Sequence, residues 1–485
     1  MRNVLTILLI SLFIPLFTIV GIASKELPSE LSEASKECIE CHSEDSPVIY
    51  QQWGRSKHFR ANVGCYECHQ ANKDDVDAFE HADRWISIIV SPGDCAVCHA
   101  KEVEEYTNSH HSKGARIMGS LDNILAEVVE GNRGFKTEGF PEGISAAAVN
   151  GCWQCHGSQV KVLKDGSLDP ATWPNTGIGR INPDGTEGSC SACHQRHRFS
   201  VALARQPENC GKCHMGPDHP QIEIYQESKH GIAYYAFKDE MNLESPKWIV
   251  GEDYSAAPTC ATCHMSATKD LPVTHNVGLR IKWNNRPAVS ILAHETDKKW
   301  GLKSAAITGE MRKKNMKKVC LSCHNENFAD NFYVQYEGLL DLYHVKFAYP
   351  GQKLYEKATE VLKFVKGDEY ASFAQAIDYT WFEIWHHEGR RARHGASMQG
   401  PDYTHWHGTY ELAKHWYGKF IPELREIIEW GKAENATDLA EDLEELLEDV
   451  LNDPNHRWSI GKEDPEVKAD RERRQREFNE RYKKK

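Results

Sequence analysis

The sequence has no cysteine to spare for a disulfide, because all sixteen fall in Cys-x-x-Cys pairs that another chemistry claims. That removes the usual reading of an even cysteine count. It also has little apolar character of its own: mean hydropathy is -0.61, polar for a chain of 485 residues that must build a core. Positive charge is not in excess. A formal net charge of -13 argues against nucleic acid as a partner. After Val20 no second long apolar run follows, so the mature chain is expected to carry no transmembrane helix. Nor is there a fixed-period repeat, which excludes a solenoid.

What is present is a motif used eight times. The pairs are Cys38 and Cys41, Cys65 and Cys68, Cys95 and Cys98, Cys152 and Cys155, Cys190 and Cys193, Cys210 and Cys213, Cys260 and Cys263, and Cys320 and Cys323. Each is followed directly by a histidine: His42, His69, His99, His156, His194, His214, His264 and His324. Histidine makes up only 25 of 485 residues, so its recurrence after every pair is not chance. A zinc ribbon has no use for a histidine at that position. Two thiols spaced to bond two vinyl groups, with an imidazole beside them to ligate iron, read as covalent c-type heme attachment. Eight hemes, one per roughly sixty residues, would supply the apolar core that the side chains lack.

Arg2, the apolar run Val4 to Val20 and the small-residue site Gly21-Ile22-Ala23 read as an export signal over residues 1–23. The chain is therefore expected in the periplasm or an equivalent extracytoplasmic compartment. Residues 24–325 read as loops and short helices pinned by stacked hemes, with turn-rich stretches such as Asn175 to Gly188 between motifs. From 326 to 460 apolar residues recur at helical spacing, in Phe332 to Lys346, Tyr355 to Val365, Pro422 to Lys432 and Leu439 to Leu451. Prolines 350, 401, 422 and 454 punctuate that region. Residues 461–485 form a charged tail, a solvated helix or else a docking strip for an acidic partner. The fold class is mainly α: a multiheme cytochrome c fold with a long-helix C-terminal region that contributes to oligomer contacts.

Eight histidines are claimed by the motifs, leaving seventeen. A heme that only transfers electrons takes a second axial ligand, most often histidine, whereas one that does chemistry leaves its sixth position open. Candidates for the second ligand lie near a motif or on a short rigid segment: His58, His81, His110 or His111, His197, His230, His275 and His394. His294, His344, His386, His387, His415 and His456 read as ordinary core or surface residues. Seven second ligands against eight hemes would leave one iron open.

Several local runs extend the case. Cys38-Ile-Glu-Cys-His42 is followed by Ser-Lys-His58, and Cys190-Ser-Ala-Cys-His194 by Gln-Arg-His197-Arg-Phe. Gly216-Pro-Asp218-His219 precedes Ser-Lys-His230-Gly, and Cys260-Ala-Thr-Cys-His264-Met is followed by Thr-His275-Asn. In these runs, and in motif order and number, the chain resembles the octaheme hydroxylamine oxidoreductase family over nearly all of the mature sequence. The resemblance implies that the fourth heme, on Cys152, Cys155 and His156, is catalytic and lacks a protein second ligand. Its pocket would contain Asp218, His219 and Tyr333. It further implies a homotrimer, in which Tyr403 of one subunit reaches the catalytic heme of a neighbour. Oxidative members bond that tyrosine covalently to the heme. Relatives without the bond work reductively, from nitrite toward hydroxylamine or ammonium.

The expected function is interconversion of hydroxylamine and more oxidised one-nitrogen species at the fourth heme. The other hemes would relay electrons to a partner cytochrome or another carrier. Proton transfer must accompany each electron step, and a carboxylate beside an imidazole supplies it near neutral pH. A conduit without catalysis is the alternative, and another multiheme reductase, for a sulfur oxyanion, is a third. A lysine in place of a motif histidine would have pointed to an ammonifying nitrite reductase, and none occurs.

Overall fold

The computed structural model describes residues 29–121, 135–138, 140–144, 148–255 and 257–483. The expected export signal, residues 1–23, lies outside them. Helices make up 61% of the structure. Among the described residues β structure amounts to three two-stranded antiparallel sheets and a few isolated bridges, so the fold is mainly α.

Up to Asn325 the helices are short, and the motifs themselves start, carry or end them. Cys65–His69, Trp153–His156 and Cys260–His264 are each a single turn closing on the motif histidine. Helix α1 (Pro92–Thr107) is longer and carries the third motif in its first turns; Ser91 caps it by accepting from the Gly93 and Asp94 amides. Helix α2 (Gln221–Glu227) follows the Asp218–His219 turn. Buried side chains in this half are largely polar: Ser35, Ser91, Asn182, Arg180, Arg280 and Arg312 are all nearly inaccessible. One polar knot ties three segments together. Asp297, on α3 (Ala293–Lys299), accepts from Arg312 Nη2 at 2.6 Å, from Ser304 Oγ and from His110 Nε2, both at 2.5 Å. Arg312 belongs to α4 (Gly309–Cys320), which leads into the last motif.

A small hydrophobic cluster, Tyr225, Tyr234, Met241, Trp248, Val250 and Tyr254, also lies in this half, but the larger hydrophobic core lies in the other. Helices α5 (Glu326–Tyr343), α6 (Tyr349–Lys366), α7 (Gly389–Met398), α8 (Glu411–His415), α9 (Ile421–Ala433) and α10 (Thr437–Asn452) form a bundle. Leu354, Val361, Ile384, Trp416, Phe420, Leu424 and Leu443 interlock at its centre. Helices end just before Pro401 and Pro454, but Pro350 and Pro422 do not break the run. Pro350 and Pro422 sit in the first turns of α6 and α9, and wide π turns, His344–Ala348 and Trp416–Phe420, precede them. A wide turn relieves the clash and the missing N–H that proline would impose on a continuing helix. Two more π turns, Glu383–Glu388 and His405–Tyr410, flank α7 and the short helix after it. The C-terminal tail forms helix α11 (Pro465–Lys483), with no buried residue and with ion pairs from Arg473 and Arg474 to Asp470. No helix of the described residues is long and apolar enough to cross a membrane.

Candidate functional site

Six motif histidines each face a second imidazole. Ring centres are 6.0 Å apart for His42 and His81, 6.1 Å for His99 and His58, and 6.4 Å for His69 and His197. They are 6.0 Å apart for His214 and His111, 6.5 Å for His194 and His275, and 6.1 Å for His324 and His230. Two imidazoles on one metal need ring centres about 6.3 Å apart, from metal–nitrogen bonds of about 2.0 Å and about 1.15 Å more to each centre. The spacing fits a shared iron, and His214 meets it twice, since the His219 ring also stands 6.2 Å away, nearly perpendicular. Burial first, and then the facing imidazole, lowers the pKa of His111 to about 3 and of His194 to about 4; His214 is also lowered to about 4, by burial and then by the charge of His219. Neutral imidazole is the form that ligates. None of the sixteen motif cysteines is disulfide-bonded, and apolar side chains such as Val48, Phe59, Val97 and Phe328 are exposed on the polypeptide surface. Thiols, imidazoles and apolar surface together suit heme attachment.

His156 is held differently. The turn-rich segment after Pro174 packs straight onto its motif: Ile178 donates to Cys155 O at 2.8 Å and Gly179 to His156 O at 3.0 Å. A side chain at Gly179 would lie 2.3 Å from the backbone of Gly114, so only glycine permits this approach. Gly157, at φ +82°, turns the chain away directly after the histidine. No second imidazole faces His156 at the spacing of the six pairs among the described residues. Its electrostatic surroundings are instead His219, Arg286 and Asp218, and burial followed by the His219 charge lowers its pKa to about 4.

Asp218 and His219 form a tight pair, with His219 Nδ1 2.5 Å from Asp218 Oδ1. The other ring nitrogen, Nε2, lies 3.0 Å from Cys213 O. Asp218 Oδ2 accepts from Arg390 Nη1 at 2.8 Å, and His386 Nε2 lies 3.8 Å away. Burial alone would raise the Asp218 pKa, but the His219 hydrogen bond and the charges of His219, His386 and Arg390 hold it below the usual carboxylate range. Burial likewise pulls His219 down, and the hydrogen bond and charge of Asp218 outweigh it, leaving its pKa raised. The pair is thus an ionised carboxylate holding a readily protonated imidazole, which can store and return one proton. Helix α7 locks the turn from outside, since Arg391 Nε also donates to Pro217 O at 2.6 Å.

The remaining expected residues fall as follows. His110 is bound to Asp297 and lies 3.3 Å from Arg286 Nη2, so of the adjacent pair it is His111 that faces a motif histidine. His394 is half-buried on α7 with its Nε2 enclosed and unpartnered; no motif histidine faces it at ring-pair distance among the described residues. His264 is the other motif histidine without such a partner; its Nδ1 lies 3.4 Å from Val277 O. Tyr333 is buried with Phe332, Tyr336 and Leu340 and under Lys313, near Cys320 and Cys263, and no described contact joins it to Asp218 or His219. Tyr403 is half-buried, its amide donating to Glu227 Oε1 at 3.2 Å and its ring 5.3 Å from that of His407. Arg390, His386 and Arg286 were not anticipated. They come from segments far along the chain, and the one local signal was the dense run His386-His387-Glu388-Gly389-Arg390-Arg391.

Two family models match. One, described as seven times multi-haem cytochrome CxxCH, covers residues 181–356, and one for cytochrome c554 and c-prime covers residues 21–70. A probable nitrite reductase-hydroxylamine oxidoreductase fusion protein of Kuenenia stuttgartiensis is 28% identical over 334 residues. The match takes in 60% of this chain and 34% of that protein, so the chain spans about a third of that relative's length. A solved structure titled hypothetical multiheme protein superposes with a TM-score of 0.67 at 26% identity, covering 84% of this chain and 97% of that one. A chain of a Kuenenia stuttgartiensis reducing HAO-like protein complex shares the fold, with a TM-score of 0.52 at 20% identity and coverage of 84% and 87%.

Proposed function

Because this chain belongs to the hydroxylamine-oxidoreductase-like multiheme c-type cytochromes, we propose that it interconverts hydroxylamine and more oxidised one-nitrogen species, nitric oxide and nitrite. The site is the heme attached through Cys152 and Cys155 and held by His156, one of eight. One contrast supports the reading: six motif histidines face an imidazole, and of the two that do not, His156 and His264, it is His156 that is surrounded by an Asp–His pair and Arg286. When bound, that heme supplies an iron with an open position for the small nitrogen compound, and the others supply a path for its electrons.

The protein's own residues handle protons and charge. His219 gives a proton to a nitrogen or oxygen being reduced, or takes one from hydroxylamine being oxidised, through the nitrogen not bonded to Asp218. That nitrogen now lies beside Cys213 O, so a small ring movement would free it. Asp218 holds the ring orientation and stabilises its protonated form, and Arg390 keeps Asp218 ionised. Arg286 adds positive charge near His156, which suits an anionic nitrite. His394, whose Nε2 is enclosed and unpartnered, is the candidate for the seventh second ligand, and His264 is the motif histidine it would complete.

The protein is exported and passes electrons to or from a carrier protein, and it works as a homotrimer in which Tyr403 approaches a neighbour's fourth heme. Assays of the purified holoprotein test the reading: hydroxylamine with an electron acceptor, and nitrite with a donor. Turnover in at least one direction is expected, and none in either would leave an electron conduit. Denaturing electrophoresis with heme staining then assigns direction. A heme-stained oligomer means a Tyr403 cross-link and oxidation, and heme-stained monomers mean reduction.

A further inference from the structure

On the far side of the π turn that carries His386 lies a second cluster of ligating atoms that the proposed reaction does not use. Glu383 and Glu388 stand at the two ends of that turn, and His415 ends α8. One donor atom from each lies within 4.8 Å of the other two. His415 Nδ1 is 3.2 Å from Glu388 Oε1 and 3.8 Å from Glu383 Oε2.

The environment of Glu388 marks this as more than a group of acids. Its side chain is 4% exposed, Oε2 has no hydrogen-bond partner, and among the described residues neither oxygen accepts a hydrogen bond. His415 Nδ1 is likewise buried without one. A buried carboxylate and a buried imidazole nitrogen aimed at the same point, both unsatisfied, are costly unless something binds between them. Lys419, 3.8 Å from the partly exposed Glu383, is the only lysine or arginine paired with the cluster among the described residues, and it does not reach Glu388.

We propose that Glu383, Glu388 and His415 form a structural site for a divalent transition ion of the zinc class. Imidazole nitrogen with two carboxylates suits that class, whereas calcium and magnesium would ask for an all-oxygen shell. Four-coordinate zinc with bonds near 2.0–2.1 Å places neighbouring donors about 3.3 Å apart. The 3.2 Å separation already matches, and rotation of the half-exposed Glu383 closes the 3.8 Å one. Three protein donors leave the fourth position to water. The ion would tie the π turn to α8, and so brace the turn and the start of α7, from which His386 and Arg390 reach Asp218.

The test uses the heme-loaded full chain, stripped with a chelator and then given zinc alone. Metal analysis after dialysis should find one zinc per chain and a raised unfolding temperature. Glu388→Gln keeps the shape but loses the donor charge, and should weaken zinc binding by at least about tenfold. If that variant does not fold, Glu383→Gln, at the solvent edge, carries the same expectation. Heme absorbance, read on the same samples, should stay unchanged. No retained zinc in the wild type would overturn the proposal and leave a buried His415–Glu388 ion pair. Equal zinc in wild type and variants would overturn it too, by placing the metal elsewhere.

Discussion

In the proposed reaction, Asp218 is the residue on which the proton chemistry turns. Three cationic or potentially cationic groups, His219, His386 and Arg390, converge on one carboxylate. Asp218→Asn removes the charge that keeps His219 protonatable, and His219→Ala removes the proton carrier. Each should lower turnover by about 10² to 10⁴, the range for a positioned acid or base, with heme content intact. An equal loss of hemylated protein would mark them as structural instead. His394 makes a different prediction. If its free Nε2 is the second ligand to the heme of His264, His394→Ala should convert one low-spin heme to high-spin. An unchanged high-spin fraction would show that this nitrogen binds no iron. The attachment motifs could be read directly, because their chemistry demands fixed spacing along the chain. His81, His197 and His275 could be suspected from local context, but which motif each faces depends on how the chain folds back. Arg390 and the Glu388–His415 contact were not legible at all, since an arginine or glutamate on an amphipathic helix looks the same whether it faces solvent or a partner.

At the scale of elements, the two halves are built on opposite principles. The C-terminal bundle interlocks apolar side chains, and α5, α6, α9 and α10 were legible in periodicity while α7 and α8 were not; Pro350 and Pro422 read as breaks and are instead accommodated by π turns. The motif half is held by buried polar knots, of which Asp297 with Arg312, Ser304 and His110 is the clearest. That knot fixes the segment presenting His111 to His214. Asp297→Asn would leave Arg312 buried without its counter-charge, so a loss of about 3–5 kcal/mol in stability is expected from denaturant unfolding. The knot also sets an acid limit. Burial works against ionisation of Asp297, yet its hydrogen bonds and Arg312 lower its pKa to about 2. A carboxylate depressed on folding stabilises the protein above its unfolded pKa of about 3.9 and ceases to do so as pH falls through the folded value. Stability should therefore drop between about pH 4 and pH 2 in the wild type, with that part of the drop absent in Asp297→Asn. A parallel fall in both would show that Asp297 is not the group responsible.

At the scale of the whole molecule, the low hydropathy and the polar interior of the motif half make sense only if cofactor supplies the missing core. Mass spectrometry of the intact mature chain should find about 4.9 kDa above the peptide mass, the weight of eight hemes. Free thiols titrating after denaturation would mean fewer. The central claim is narrower: one heme, that of His156, has no protein second ligand and is where the nitrogen compound binds. Electron paramagnetic resonance of the ferric protein, before and after adding hydroxylamine or nitric oxide, addresses it most directly. The account predicts a single high-spin heme among low-spin ones, altered by the added ligand and lost when His156 is replaced by a non-ligating residue. A spectrum of low-spin hemes alone, indifferent to either ligand, would contradict it.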